Sequence, residues 1–134
     1  MSSPMDDADV AICAELLDQM IVAAERIIRR GKLIATPEDF TSSEAGIDAM
    51  DGIVIMLIVL GETVKKLERN GPPGFLDRHP EIEWKGVKGM RDVLSHEYFG
   101  VNPAILFDVT RNKIPPLLTA LRSLKGALDE ASEV

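Results

Sequence analysis

Eight consecutive apolar residues, Ile53-Val54-Ile55-Met56-Leu57-Ile58-Val59-Leu60, sit inside a longer stretch that elsewhere repeats its apolar residues every three or four positions. Ile47, Met50, Val54, Leu57, Gly61, Val64 and Leu67 fall on the stripe of an α-helix, and Thr41 and Glu44 have capping-box spacing at its start. A helix that is apolar all round in its middle has no face to offer water, so it must be covered on both sides. The second cover is either another helix of the same chain or a second subunit, and the pattern leaves both open. The run is far short of the ~20 residues that cross a bilayer, so it predicts no membrane span and a soluble, cytoplasmic protein. The acidic start, Met1 to Asp9, is unlike the basic start of a secretory leader.

The flanking segments supply the covering helices. Val10, Cys13, Leu17, Met20, Ala24 and Ile27 predict a first helix from about Asp7 to Arg30, with Arg26, Arg29 and Arg30 at the end favoured by the macrodipole and Gly31 as the stop. Asn70-Gly71-Pro72-Pro73-Gly74 ends the second helix. A third begins near Trp84, turns Trp84, Val87, Met90 and Leu94 inward, and frays around Tyr98-Phe99-Gly100. Asn102-Pro103 reads as an N-cap followed by proline at the first helical position. The fourth helix carries Leu106 and Val109, must kink at Pro115-Pro116, and resumes with Leu117, Leu121, Leu124 and Leu128. The scarcity of Tyr, Phe, Trp and Thr beside abundant Leu, Ile, Ala, Glu and Lys agrees with helices throughout, and no strand pair is visible. The expectation is an all-α, up-down four-helix bundle with a kinked last helix, one domain over residues 1–134. The single cysteine, Cys13, excludes an internal disulfide and reads as a small core residue.

Chemistry concentrates between Trp84 and Gly100. The chain as a whole carries a formal charge of −7, which argues against a nonspecific grip on nucleic acid. Locally, however, Lys85, Lys88 and Arg91 outnumber Asp92 and Glu97, a basic patch that would bind weakly or need doubling by a second subunit. Arg91 and His96 are the residue types that metal-free phosphodiester cleavage requires. A histidine can exchange protons near neutral pH, and an arginine keeps its charge while matching phosphate oxygens with a fork of donors. Residues five apart lie about 140° apart around a helix, so the two converge only if the helix frays or if two subunits face one cleft. Asp92 and His96, four apart, share a face, and Asp92 could orient the imidazole. Spacing alone reads equally as a surface arginine and a dipole-stabilised terminal histidine.

Glu62 is unusual within an apolar helix, either as partner to a cation at a site or as a surface acid. His79, in a loop before Pro80, reads as structural. The chain has no glycine-rich phosphate loop, no Cys/His cluster and no grouped carboxylates, so no metal and no cofactor are predicted.

Several segments together carry a resemblance to a known family. They are Leu60-Gly61-Glu62; His79-Pro80-Glu81-Ile82-Glu83-Trp84; Gly89-Met90-Arg91-Asp92-Val93-Leu94-Ser95-His96-Glu97-Tyr98-Phe99; Val101-Asn102; and Ile114-Pro115-Pro116-Leu117. From about residue 12 to 125 the chain resembles HEPN-domain proteins of the HepT type, toxins partnered by a minimal nucleotidyltransferase antitoxin (MntA). The resemblance implies a HEPN-like fold and a homodimeric, metal-independent ribonuclease acting on RNA, with Arg91 and His96 matching the catalytic pair. Asp92 stands where many relatives carry Asn, which leaves open whether it tunes the histidine or fills the position. Tyr98 matches a tyrosine that the partner nucleotidyltransferase adenylylates, silencing the nuclease; read without the resemblance, it is an amphipathic ring closing a helix end. A second functional class stays open: a noncatalytic helical adaptor that binds a nucleotidyltransferase.

Overall fold

A computed structural model describes the backbone of residues 6–132, and the side chains of Tyr98, Ala131 and Ser132 lie outside the described residues. Helix α1 spans Asp7–Gly31 and starts at Asp6, whose side chain accepts the Asp9 N–H at 2.7 Å. Helix α2 spans Glu44–Asn70. Its N-cap is Ser43, which accepts the Gly46 N–H at 3.0 Å, so the expected Thr41–Glu44 capping box is not what starts it. The acid that reaches back lies upstream. Asp39 accepts the backbone N–H groups of Ala35 (2.8 Å) and Thr36 (3.1 Å) around a 3-10 turn, Pro37–Phe40, that drives Phe40 into the core. Those two donated bonds hold the Asp39 carboxyl below its ordinary value. The turn lies so close to α2 that a Cβ on Gly46 would overlap the Asp39 carbonyl oxygen.

Helix α3 spans Trp84–His96, α4 spans Pro103–Asp108 and α5 spans Ile114–Ser132. Asn102 caps α4 as expected, accepting from Ala104 (2.8 Å) and Ile105 (3.3 Å). Between α4 and α5 the chain stays helical through a widened π turn, Val109–Lys113. Pro115 and Pro116 have no N–H for the carbonyls four residues back, and their rings would crowd an ordinary α turn; widening the preceding turn relieves both. The predicted kink thus takes the form of a π turn one residue ahead of the prolines.

The core lies between α1, α2 and α5, where Cys13, Leu17, Met20, Ile27, Ile53, Leu60, Leu121 and Leu124 are buried together with Phe40. Burying each large aliphatic side chain contributes about 1.5–3 kcal/mol. Burial pushes the Cys13 thiol pKa up, as suits an inert core residue. The apolar middle of α2 is covered unevenly. Ile53, Val54, Leu57 and Leu60 are buried, Met56, Ile58 and Val59 are half-buried, and Ile55 is 53% exposed. One side of that helix therefore meets solvent in the single chain. Among the described residues no helix is long and apolar enough to cross a membrane.

Helix α3 is held differently. It packs on α2 and makes few close backbone approaches to α5. Its first residue, Trp84, is its anchor, with the ring Nε1–H donating to the carbonyls of Leu76 (2.8 Å) and His79 (3.2 Å). The His79 ring meets Glu81 at 2.8 Å, a contact that shapes this lead-in loop and lies apart from Arg91 and His96 in the sequence. Between α3 and the α4–α5 segment two apolar clefts remain open, of about 350 and 230 Å³, with Leu57, Met90 and Val109 in both walls.

Candidate functional site

The site grows from a glycine. At Gly61 the backbones of α2 and α3 approach so closely that a Cβ there would lie 2.8 Å from Arg91 Cβ and 2.9 Å from the Val87 carbonyl oxygen. The missing side chain lets α3 settle with Arg91 directly over α2. The next residue, Glu62, forms an ion pair with Arg91 through Nε. On the other side Arg91 Nη1 donates to Asp92 Oδ1 at 2.9 Å, and Lys65 Nζ stands 3.8 Å from the same oxygen.

The electrostatics follow from these contacts. The hydrogen bond to Asp92, then the Glu62 charge, raise the Arg91 pKa, so the guanidinium is cationic at every accessible pH. The hydrogen bond from Arg91, then the Lys65 charge, hold the Asp92 carboxyl below its ordinary value, with His96 a smaller contributor. Asp92 shares a helix face with His96, and the sequence leaves open whether it orients the imidazole. Its described hydrogen bond goes to Arg91 instead, because the guanidinium on the adjacent residue is a charged donor already within reach.

The predicted basic patch is also altered. Lys88 pairs with Glu68 at 2.8 Å and Arg91 with Glu62, so acids of α2 offset two of the three cations. Sequence reasoning passed over Lys65 and Glu68. The hint available was their place, with Glu62, along the polar edge of the last turns of α2.

His96 is exposed and is the last residue of α3. The helix holds through it, so fraying does not bring it to Arg91. Five residues apart on a continuous helix, the two leave the axis about 140° apart, and the described hydrogen bonds and ion pairs do not join them. Tyr98 opens the 3-10 turn Tyr98–Gly100 immediately beyond, but its side chain, and with it the expected modification site, lies outside the described residues. Among the described residues no group of His, Cys, Asp or Glu is arranged to hold a metal ion.

Among the described residues the bundle is all-helical, as a HEPN-like domain is, and Arg91, Asp92 and His96 lie on its short third helix. The chain belongs to the HepT-like ribonuclease family, whose model matches residues 13–124. It is 38% identical over 101 residues to a protein of Caldanaerobacter subterraneus subsp. tengcongensis named "Putative RNase", covering 75% of this chain and 83% of that one. Over 63 residues it is 41% identical to a Methanocaldococcus jannaschii protein also named "Putative RNase", covering 47% of this chain and 49% of that one. A Thermococcus cleftensis protein named "Probable ribonuclease HepT" is 35% identical over 78 residues, 58% of this chain and 61% of the relative. The match thus spans about half to four-fifths of the length of these relatives. No solved structure matches the chain.

Proposed function

We propose that this protein is a metal-independent ribonuclease, the toxin of a toxin–antitoxin pair, acting as a homodimer. The observation that carries the reading is Arg91 fixed over the α2–α3 seam, with an exposed His96 at the end of the same helix, in a chain of the HepT-like family. In the reaction His96 takes the proton from a ribose 2′-hydroxyl. The 2′-oxygen attacks the adjacent phosphorus while the bond to the 5′-oxygen breaks, and that oxygen leaves with a proton from a protonated imidazole. Arg91 donates to the non-bridging oxygens as their charge grows.

Two copies of α3 facing one cleft would supply both groups, since one copy separates them around its axis. Exposed apolar residues on and beside that helix support such a pairing: Val93 is 59% exposed and Ile105 64%. Tyr98, two residues past His96, is the proposed point of AMP attachment by a partner nucleotidyltransferase. The added phosphodiester anion would occupy the cations that substrate phosphate needs.

The direct test is incubation of the purified chain with total RNA in EDTA, beside Arg91→Ala and His96→Ala. Cleavage by the unaltered chain that falls about 100-fold or more in both variants is the expected result. Equal cleavage by all three, or by none, removes the enzyme. The second reading, a noncatalytic adaptor for a nucleotidyltransferase, is favoured by one observation: acids flank Arg91 and offset its charge. Tight binding of a nucleotidyltransferase by a chain that neither cleaves RNA nor slows growth would select it.

A further inference from the structure

We propose that Glu62 is a positioning residue for the nuclease reaction, acting through Arg91, and that Gly61 sets the distance at which it does so; the inference rests on the ribonuclease reading above. Arginine reaches phosphate through a long stem whose free rotation works against a fixed geometry. Here that rotation is stopped at both ends of the side chain. At the root, Gly61 lets the Arg91 Cβ sit against the bare backbone of the facing helix. At the tip, Glu62 pairs with Nε and Asp92 accepts one Nη1–H. Nη2 and the second Nη1–H are left by these two bonds to meet a phosphate oxygen.

Charge alone would not place an acid there. Glu62 and Asp92 against Arg91 and Lys65 sum to zero, so Glu62 weakens the pull on an approaching phosphate. Nor is the pair a stability device, because Glu62 and Arg91 are each 39% exposed and a pair so open to water holds little together. An acid that costs attraction and adds little stability is explained by what it does to direction. It holds the guanidinium where the phosphoryl charge develops, and a misplacement of about 1 Å there can cost roughly 100-fold in rate.

The test compares Glu62→Ala, Glu62→Gln and Gly61→Ala with the unaltered full chain, measuring RNA cleavage, melting temperature and the NMR signal of the Arg91 Nε–H. Glu62→Ala is expected to lower kcat about 10- to 100-fold with KM unchanged or reduced, because an opposing charge has gone. Its melting temperature should stay close to that of the unaltered chain. Glu62→Gln, whose amide oxygen still accepts from Nε, should recover much of the lost kcat. Gly61→Ala should lower kcat as well, by moving α3 outward. The Arg91 Nε–H signal should be slow to exchange in the unaltered chain and in Glu62→Gln, and fast in Glu62→Ala.

Full kcat in Glu62→Ala overturns the proposal, as does a fall shared equally by Glu62→Gln and matched by a fall in melting temperature. A protected Nε–H in Glu62→Ala overturns it too. If the unaltered chain cleaves no RNA, the ribonuclease reading fails and takes the catalytic part of the proposal with it. The exchange rates would then still decide whether Glu62 holds Arg91.

Discussion

The α1–α2–α5 core and the helix α3 are built on opposite terms. In the core, side chains from three long helices exclude water almost completely, and the one buried thiol has no task beyond packing. In α3 only Trp84 and Leu94 are buried. Its second face looks onto open apolar clefts, and it meets α2 through Trp84, Val87, Met90 and Leu94 and a close glycine contact, with ion pairs half open to solvent along the edge. The difference teaches where this molecule can move. The expected consequence is that the core melts as a unit and that α3, with fewer buried side chains, opens before it.

Four substitutions break or sharpen that contrast, in falling order of effect. Phe40→Ala empties a fully buried site and should destabilise the whole domain by about 3–5 kcal/mol, a large part of a typical ~5–15 kcal/mol; denaturant unfolding followed by circular dichroism measures it. Trp84→Ala removes the anchor of α3 together with both of its hydrogen bonds, at about 3 kcal/mol. Its signature should be local: amide exchange rises across 84–96 while α1 and α5 keep their protection. A uniform rise in exchange would mean that α3 belongs to the core unit after all.

Gly61→Ala inserts a Cβ into contacts of 2.8 and 2.9 Å and should cost about 1–3 kcal/mol through displacement of α3, read as a lower midpoint with an unchanged denaturant slope. The smallest effect concerns acid. Asp92 has its folded pKa held below 3.8, so whatever stability its pairing supplies is present above that value and disappears as pH falls through the lower folded one. Asp92→Asn should therefore lose less stability than the unaltered chain between neutral pH and strong acid, visible as a shallower fall in melting temperature.

Much of the bundle was legible from the chain. Helix periodicity, the Asn102-Pro103 start and the Gly71-Pro72-Pro73 break are local signals, and each marks a boundary near where it is found. The Thr41–Glu44 spacing misled, because capping letters recur by chance and the seat of Phe40 in the core decides where the preceding turn ends. The candidate site was readable as residue types, Arg91, Asp92 and His96 on one helix. Its wiring was not: Asp92 turns to Arg91, and Lys65 and Glu68 enter from another helix.

What the sequence determined by itself was the helices, their order, and the residues gathered at the end of the third, because hydrophobic period and capping chemistry act over a few neighbouring positions. Only the tertiary structure decided that Gly61 meets Arg91, that Glu62 pairs with it, that one side of α2 stays open, and that the prolines are accommodated by a wide turn. Those outcomes depend on which faces of distant helices touch and how closely. That is settled by packing the whole core at once, not by any stretch of chain read alone.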